Sequence, residues 1–443
     1  MSTYYIETFG CQMNKYDSEL VATILDKHGY QPARSIDESD LILINTCSVR
    51  DHAEQRVKNK IDDLYRFKKR KKGLVVGILG CMAQRMGQSL IDEKPLVDFV
   101  LGPDSYRNLP ELLVQLNNGG IDKTEFENPY DDDETYADIY PTRFGEINAW
   151  VAIMRGCNNF CSYCIVPYLR GRERSRSAQN IIHEVKELVT DGYQEVTLLG
   201  QNVNSYHDGK TDFADLIRRV ADVDGVKRVR FATSHPKDMS LKLIKAIGEH
   251  PNICNFIHLP IQSGSNVILK AMNRKYTREH YLELIEHIRT HVPNPALQTD
   301  IIVGFPGETD VEFQETVDLF NEVKFDGAFI FKYSPRSGTA AFKLKETVSE
   351  AEKTRRLQEL NRIQKKITVE KNLKLVGTVQ EILVEGRSKK RKKQQWMGRT
   401  DSNKIVVFNN TAKIKKGELI CVKINEAEGQ TLFGELLTSP AEL

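Results

Sequence analysis

Three cysteines in the stretch RGCNNFCSYC have a spacing suited to iron–sulfur chemistry. Cys157, Cys161 and Cys164 follow the pattern C-x3-C-x2-C. Three thiolates can bind three irons of a cubane cluster and leave the fourth iron without a protein ligand. An open coordination position distinguishes a catalytic metal site from a closed structural one. The spacing therefore predicts a catalytic cluster with one open iron.

Two alternative cysteine sites fit this stretch less well. A zinc knuckle usually has paired C-x2-C elements with a fourth Cys or His nearby. The nearest histidine in this chain is His183, on the following predicted helix. A bacterial ferredoxin run has C-x2-C-x2-C and a fourth Cys before Pro. The open cluster is the preferred interpretation.

A second set of three cysteines is spread over the first part of the chain. Cys11, Cys47 and Cys81 each follow a strand-like apolar run, at intervals of 36 and 34 residues. Strands joined by helices form parallel sheets, and their carboxyl ends share one edge where ligands bind. Each cysteine alone could be a small buried hydrophobe, but three at one edge suit a second cluster with a free iron. Cys254 and Cys421 lie in apolar strand patterns and are expected to be core residues.

The composition is that of a globular protein without a membrane partner. With 443 residues, 40% of them hydrophobic and 28% charged, two or three domains are expected. No apolar run is long enough to span a bilayer, and the N-terminus lacks the basic and apolar regions of a secretory signal. We expect a cytoplasmic protein, and clustered cysteines in that reducing compartment indicate metal binding or catalysis.

Charge is segregated along the chain although the net charge is only +2. Residues 58–72, 353–374 and 387–393 are basic, whereas residues 122–138 are acidic. Each basic run alone would usually be a solvated loop. Three of them beside an acidic stretch indicate a polyanionic partner.

The order of strand-like and helix-like runs predicts an α/β protein of three domains. Residues 1–117 predict a doubly wound parallel sheet, and the acidic residues 118–142 a linker. Residues 143–373 repeat the strand–helix alternation about six times, as in a partial (β/α)6 barrel with functional loops after the strands. A long basic helix is expected over 350–372. Residues 374–440 contain short strands separated by turns, which predicts a small β-barrel.

These motifs together resemble the methylthiotransferase family of radical S-adenosylmethionine (SAM) enzymes over nearly the whole chain. FGCQMN, NTCSVR and GCMAQR are similar to the family's auxiliary-cluster domain. RGCNNFCSYCIVPYLRGRERSR is similar to its SAM-cluster loop, and residues 375–440 resemble an RNA-binding TRAM domain. The central barrel is, by this resemblance, a radical SAM core.

The resemblance implies the cofactors, the partners and a mechanism. The cofactors are SAM and two 4Fe–4S clusters, one auxiliary and one that binds SAM. The partners are tRNA, a reducing electron donor, and a donor of sulfur or of cluster repair. Cleavage of SAM by an electron from the cluster of Cys157, Cys161 and Cys164 would open adenine C2 to sulfur, which the auxiliary cluster would supply after methylation by another SAM.

Four further stretches resemble one branch of this family. They are LLGQNVNSY (198–206), FATSHPKDM (231–239), HLPIQSGSN (258–266) and FKYSPRSGTAA (331–341). That branch inserts sulfur and a methyl group at C2 of N6-isopentenyl adenosine at position 37 of tRNA. Other branches modify N6-threonylcarbamoyl adenosine or an aspartate of a ribosomal protein. Methylthiolation of protein, and an RNA-binding iron–sulfur sensor without enzymatic activity, remain the alternatives.

Polar residues after the predicted barrel strands are candidates for a SAM or adenine pocket. The family holds the amino group of SAM after its second barrel strand, and several later strands end in similar residues. The candidates are Gly200, Gln201, Asn202, Ser234, Gln262 and Ser263. They could equally be turn or capping residues. Asp300 is expected to be a polar group of the barrel interior, and GFPGET (304–309) a turn near SAM.

A basic run with one tryptophan provides candidate RNA contacts in the C-terminal domain. The candidates are Lys389, Lys390, Arg391, Lys392, Lys393 and Trp396. Cations can contact phosphates and an indole can stack on an unpaired base. The alternative is a flexible basic hairpin.

Overall fold

The fold is known from a computed structural model. It describes residues 2–47, 51–118, 131, 133–145, 147–388, 395–409 and 414–437, without the side chains of residues 51–53. Among these residues no helix combines the length and the apolar character needed to cross a membrane.

The N-terminal unit is a parallel sheet in the order β2-β1-β3-β4-β5. Its strands are β1 (Thr3–Thr8), β2 (Gln31–Pro32), β3 (Leu41–Thr46), β4 (Val75–Gly80) and β5 (Phe99–Leu101). Its helices are α1 (Gln12–Lys27), α2 (Asp51–Asp63), α3 (Tyr65–Arg70), α4 (Cys81–Met86), α5 (Gln88–Glu93) and α6 (Leu109–Asn117). The four longer runs predicted as strands are confirmed, and β2 is an additional short edge strand.

Helices cover both faces of this sheet. Along β3, Leu41 and Leu43 belong to one apolar core with residues of α1 and α6. Ile42 and Ile44 belong to a second core with residues of α2. Side chains alternate between the faces of a strand, so an unbroken apolar run such as LILI fits a strand that is buried on both sides. The doubly wound arrangement is confirmed.

The central unit contains six parallel β/α strands in two half-sheets, β10-β9-β6 and β11-β12-β13. A parallel bridge between Val229 and Ile253 joins the halves, and β6 and β13 form the outer edges of a partial barrel. The six strands are β6 (Asn148–Ala152), β9 (Glu195–Leu199), β10 (Arg228–Phe231), β11 (Phe256–His258), β12 (Ala296–Val303) and β13 (Gly327–Lys332). The predicted partial (β/α)6 barrel is confirmed.

Helices surround the barrel, and a short antiparallel pair of strands follows β6, with the first of the helices in the connection between its two strands. That pair is β7 (Met154–Arg155) and β8 (Arg174–Ser175). The helices are α7 (Pro167–Arg170), α8 (Ala178–Thr190), α9 (Phe213–Ala221), α10 (Leu241–Glu249), α11 (Asn266–Ala271), α12 (Arg278–His291), α13 (Asp310–Val323) and α14 (Glu350–Leu373). The last of these is the predicted long basic helix.

The C-terminal unit is a closed barrel in the order β14-β15-β16-β18-β17. Its strands are β14 (Val379–Arg387), β15 (Gln395–Arg399), β16 (Ile405–Asn409), β17 (Leu419–Glu428) and β18 (Thr431–Leu436). The small barrel is confirmed. Strand β15 was not expected, because its sequence QWMGR directly follows the basic run and lacks a clear alternation of apolar residues.

Two buried arginines of β10 attach this C-terminal barrel to the central unit. Arg228 donates to the carbonyl oxygens of Arg399 at 2.6 Å and of Glu381 at 3.2 Å. Arg230 donates to the carbonyl oxygens of Asp401 at 2.8 Å and Thr400 at 2.7 Å. Because hydrogen bonds from a charged donor are among the stronger ones, this clamp fixes the barrel against the start of β10.

Part of the predicted acidic linker packs against the domains that it joins. Residues 119–130, 132 and 146 lie outside the described residues. In the described part, Tyr136 is fully buried and Ile139 nearly so, both in the core that contains α1. The end of this segment is therefore a structural part of the interface between the first two units.

Candidate active site

Cys157, Cys161 and Cys164 lie together on the loop that follows β7. The preceding Gly156 has φ +76°, and a Cβ built on it would lie 1.9 Å from the carbonyl oxygen of Arg172. Only glycine fits this close approach of the two ends of the loop. The amide of Cys157 also donates to the carbonyl oxygen of Gly171 at 3.2 Å. The loop is thereby closed around the three thiols.

Contacts from the segment after α11 hold the middle of the loop. Ser162 donates through its amide to the carbonyl oxygen of Met272 and through its hydroxyl to that of Ala271, at 2.9 and 2.8 Å. Arg274 is buried and places Nη1 3.3 Å from Sγ of Cys161. Sequence reasoning did not identify Arg274, because nothing in MNRKY distinguishes it from a surface arginine.

The three thiols are crowded and poorly solvated. Burial raises the pKa of Cys157 to about 11, and the negative charges of Glu173 and Cys161 add to this rise. Burial and Cys161 raise the pKa of Cys164 to about 12. Like charges at one site oppose ionisation, and a bound metal reverses this effect by deprotonating its ligands. The triad therefore fits a site that is stabilised by iron.

The other three cysteines meet at the carboxyl edge of the N-terminal sheet, as predicted. Cys11 precedes α1, Cys47 follows β3, and Cys81 begins α4 directly after β4. A Cβ built on Gly10 would lie 2.8 Å from the Cβ of Cys47, which places Cys47 against the Gly10–Cys11 turn. Burial raises the pKa of Cys81, and the thiol of Cys11 is close enough to raise it further.

Hydrogen bonds from polar side chains hold the ends of these three strands together. Asn14 donates to Oδ1 of Asn45 at 3.2 Å and to the carbonyl oxygen of Thr46 at 3.0 Å. The Thr46 hydroxyl donates to the carbonyl oxygen of Leu79 at 2.7 Å. Gly80 has φ +88°, and a Cβ on it would lie 2.6 Å from the Thr46 carbonyl oxygen. These residues belong to the motifs FGCQMN, NTCSVR and GCMAQR, but sequence reasoning assigned roles only to their cysteines.

Neither cysteine triad has the geometry of a mononuclear metal site. Within the described ranges, no three His, Cys, Asp or Glu side chains are placed to hold one metal ion. Three cysteines that bind a cubane each bind a different iron, so their sulfurs need not converge on one point.

The loop that carries Cys157, Cys161 and Cys164 contacts the N-terminal cysteine site across the interface between the first two units. Cys81 forms a small apolar cluster with Ile165 and Leu169, which follow Cys164 on the loop that carries the other triad. Arg170 ends that segment and donates from Nε to Sγ of Cys81 at 3.3 Å. The loop that carries one triad therefore contacts a cysteine of the other.

A buried ion pair network locks this interface. Asp17 on α1 is 0% exposed and accepts from Arg155 at 2.7 Å and from Arg170 at 2.8 Å. Burial pushes the pKa of Asp17 upward, but the two guanidinium groups outweigh it and hold the pKa below its ordinary value. Farther along the motif RGRERSR, Arg174 pairs with Asp104. The run RGRERSR resembles a solvated basic loop in sequence, but most of its arginines contact the N-terminal unit or the barrel.

A second branch of the network joins four further charged groups. Arg143 pairs with Glu19 of α1 and with Glu184 of α8. Arg176 pairs with Glu184 at 2.7 Å, and all of these side chains are nearly or completely buried. The N-terminal helix is thus held against the barrel at two separate points.

Three buried acceptor atoms in the predicted SAM pocket have no hydrogen-bond partner in the described part of the chain. They are Oε1 of Gln201, Oδ1 of Asn202 and Oγ of Ser234. All three follow β9 or β10 at the carboxyl end of the barrel, whereas Nδ2 of Asn202 is held by Asp238. Buried polar atoms normally have partners, so this group fits a ligand that donates, such as an ammonium group.

The remaining pocket candidates have structural roles of their own. Gly200 packs so closely on Met154 that an added Cβ would lie 2.6 Å from its Cγ. Gln262 is a non-glycine residue at φ +77°, and its amide donates to the carbonyl oxygen of Asp300. Ser263 is fully buried, and its hydroxyl accepts from the amide of Ser265. Asp300 lies on β12 and pairs with His258 at 2.9 Å on the same face of the half-sheet.

The cysteines outside the triads are not close to either site. Cys254 is buried beside Arg230, and burial raises its pKa to about 11. The core assignment is confirmed for this residue. Cys421 lies on β17 and is only partly buried.

The candidate RNA contacts are only partly described. Lys389, Lys390, Arg391, Lys392 and Lys393 lie outside the described residues. Trp396 lies on β15 opposite Phe408 and packs partly on the core of the barrel. Part of its ring is therefore used in packing, and the rest is exposed.

Acidic partners neutralise much of the first basic run. Lys58 pairs with Glu93, Lys60 with Glu7, Lys68 with Asp98 and Lys71 with Asp40. This run therefore presents fewer unpaired cations to a polyanionic partner than its sequence indicates.

Comparisons with known proteins agree with this architecture. Residues 3–102 match the uncharacterized protein family UPF0004, residues 151–320 the radical SAM superfamily, and residues 373–437 the TRAM domain. The solved radical SAM methyltransferase TsrM from Kitasatospora setae, with cobalamin and a 4Fe–4S cluster bound, matches with a TM-score of 0.60. The match has 13% identity and covers 86% of this chain and 77% of that chain. The fold and the cysteine loop together define a radical SAM protein.

Close relatives specify the family. The tRNA-2-methylthio-N(6)-dimethylallyladenosine synthase of Parabacteroides distasonis is 49% identical, covering 97% of this chain and 94% of the relative. The protein of the same name from Thermoanaerobacter pseudethanolicus is 46% identical, covering 98% and 92%. The chain belongs to the family of tRNA-2-methylthio-N(6)-dimethylallyladenosine synthases, which are radical SAM methylthiotransferases.

Proposed function

We propose that this chain inserts sulfur and a methyl group at C2 of N6-isopentenyl adenosine at position 37 of tRNA. The observation that supports it most is the buried contact between Cys81 of one triad and the loop that carries the other triad. The name of its relatives supplies the substrate class.

Each triad holds one 4Fe–4S cluster in this proposal. Cys157, Cys161 and Cys164 bind the cluster that contacts SAM, and Cys11, Cys47 and Cys81 bind the auxiliary cluster. When bound, the first of these clusters would supply the electron that cleaves SAM, and the auxiliary cluster would supply the sulfur that is inserted. The reaction consumes both electrons and sulfur, so a reducing electron donor and a donor of sulfur or cluster repair are required partners.

The chain's own residues position the reactants. Gln201, Asn202 and Ser234 provide the buried acceptors for the ammonium group of SAM. The ion pairs of Asp17 with Arg155 and Arg170 fix the two cysteine sites relative to one another. Ile165 and Leu169 pack on Cys81 and shield this side of the auxiliary site from water, which limits side reactions there.

Iron content tests the two-cluster assignment. Anaerobically reconstituted protein is expected to hold two 4Fe–4S clusters, because each triad can bind three irons of one cubane. Joint replacement of Cys157, Cys161 and Cys164 by Ala should leave one cluster, and so should joint replacement of Cys11, Cys47 and Cys81. Iron and zinc are measured by elemental analysis, and cluster type by Mössbauer spectroscopy. Zinc in place of iron would contradict the assignment.

Parallel assays with three tRNAs test the substrate. Isopentenylated tRNA should give the 2-methylthio product, unmodified tRNA little, and threonylcarbamoylated tRNA almost none. Burial of the isopentenyl group contributes about 0.8 kcal/mol per CH₂, whereas the threonylcarbamoyl group would bury a carboxylate without an assigned partner. Products are identified by nucleoside mass spectrometry.

The same assay separates the competing functions when ribosomal protein is added as a fourth substrate and SAM cleavage is measured as well. Preference for threonylcarbamoylated tRNA would assign the chain to the branch of the family that modifies N6-threonylcarbamoyl adenosine. Modification of ribosomal protein alone would indicate the protein-modifying branch. An RNA-binding sensor would cleave no SAM under strong reductant.

We also propose that the C-terminal domain binds tRNA through the basic run at residues 389–393 and through Trp396. Replacement of Lys389, Lys390, Arg391, Lys392 and Lys393 by Ala should weaken tRNA binding and flatten its log–log salt dependence by about 0.7–0.9 for each lost phosphate contact. SAM cleavage without tRNA should change little.

A control of similar charge change, four cations against five, is available in the first basic run. Replacement of Lys58, Lys60, Lys68 and Lys71 by Ala also removes several positive charges, but from residues that are already ion-paired. It should leave tRNA affinity nearly unchanged. Equal losses of tRNA affinity in both variants would show that the net charge of the protein, rather than the basic run at residues 389–393, controls tRNA binding.

A further inference from the structure

Arg170 connects the SAM-cluster loop to the auxiliary cysteines through a buried guanidinium group. It is 4% exposed and lies at the end of α7, the short helix that follows Cys164 on the loop. Its Nε donates to Sγ of Cys81 at 3.3 Å, and its Nη2 donates to Asp17 at 2.8 Å. Its carbonyl oxygen accepts from Arg174 at 2.9 Å, which fixes the backbone at this point.

Its third nitrogen is also buried. Nη1 of Arg170 has no hydrogen-bond partner in the described residues. The guanidinium group is charged at every accessible pH, and Asp17 shares its own charge with Arg155. The single carboxylate of Asp17 therefore does not fully neutralise the positive charge of Arg155 and Arg170, and part of this charge remains close to Cys81.

Reduction adds a negative charge to an iron–sulfur cluster. Hydrogen bonds to its sulfurs and nearby positive charge stabilise the reduced form and raise the reduction potential. In a buried site such an interaction is screened less than at the surface. Arg170 provides both the hydrogen bond and the charge.

We infer that Arg170 is a positioning residue that raises the reduction potential of the auxiliary cluster by donating to Sγ of Cys81. The inference rests on the proposed assignment of Cys11, Cys47 and Cys81 to that cluster. It makes the SAM-cluster loop a determinant of the auxiliary cluster's electronic properties.

The test is a redox titration of the auxiliary cluster alone. In protein with Cys157, Cys161 and Cys164 replaced by Ala, electron paramagnetic resonance during titration gives one potential without interference from the SAM cluster. Arg170→Gln is expected to lower the equilibrium constant for reduction about tenfold, which is about 59 mV for one electron. Arg170→Lys keeps the positive charge, but a single ammonium group cannot donate to both Cys81 and Asp17 as the planar guanidinium group does. The reduction potential should therefore shift in the same direction as in Arg170→Gln, but by less.

Two controls separate this effect from a general structural change. Arg172→Gln alters an exposed arginine that lies over the Phe160 ring, and it should leave the potential unchanged. In the reciprocal protein with Cys11, Cys47 and Cys81 replaced by Ala, Arg170→Gln should leave the SAM-cluster potential unchanged.

Each possible result decides the question. An unchanged auxiliary potential in Arg170→Gln, or an equal shift of both clusters, would overturn the inference. If Arg170→Gln does not load iron, an unchanged potential in Arg170→Lys would overturn it. If the protein that retains only Cys11, Cys47 and Cys81 binds no iron even with Arg170 present, the cluster assignment itself fails.

Discussion

Cys81→Ala is expected to cleave SAM at a rate near that of the wild type but to form no detectable methylthiolated tRNA. The triad of the SAM-cluster loop is intact in this variant, whereas the auxiliary site loses one of its three ligands. Cys161→Ala should lose both activities, because it removes a ligand from the cluster that contacts SAM. The measurements are 5′-deoxyadenosine by chromatography and modified nucleoside by mass spectrometry.

A third cysteine provides the matched control for this pair. Cys254 is as buried as Cys81 but lies outside both triads. Cys254→Ala should therefore retain SAM cleavage and product formation within a few-fold of the wild type. Equal SAM cleavage by Cys161→Ala and wild type would contradict the assignment of the two sites.

Asp17→Ala is expected to destabilise the protein by about 3–5 kcal/mol, because it leaves two buried guanidinium groups without their shared carboxylate. The change should appear as a lower midpoint of urea denaturation for the cluster-loaded protein. Midpoints are the appropriate measure, since unfolding of several domains is not a two-state process.

The control for Asp17 is an exposed ion pair. Glu249 pairs with Arg218 at 2.9 Å on the barrel surface. Exposed pairs contribute about 0–1 kcal/mol, so Glu249→Ala should shift the midpoint only slightly. If Asp17→Ala shifts it no further than Glu249→Ala, the buried network does not hold the interface together.

The fold could be predicted wherever burial leaves a clear pattern in the sequence. Strands β3 and β4 contain unbroken apolar runs and are followed directly by Cys47 and Cys81, and Cys11 comes three residues after β1. The topology of parallel sheets brings these cysteines to one edge. Strand β15 has no such pattern. Its residues are mostly half-buried, as in a small barrel where neither face of a strand is fully enclosed.

The supporting residues of the site could not be predicted from the sequence because their partners are distant. Arg170 looks like one of several solvated arginines in RGRERSR. Its partners Cys81 and Asp17 lie 89 and 153 positions away along the chain. Gly200 shows a second kind of hidden constraint, since its close packing on Met154 leaves no room for a side chain and cannot be seen in the sequence.

The attachment of the C-terminal barrel has a consequence for how this module can change during evolution. Arg228 and Arg230 bind mainly to carbonyl oxygens of residues 381 and 399–401, and every amino acid carries that oxygen. Substitutions in the turn after β15 can therefore alter the side chains it displays without breaking the attachment. The barrel can acquire new surface chemistry while its position relative to the cysteine loop is inherited unchanged.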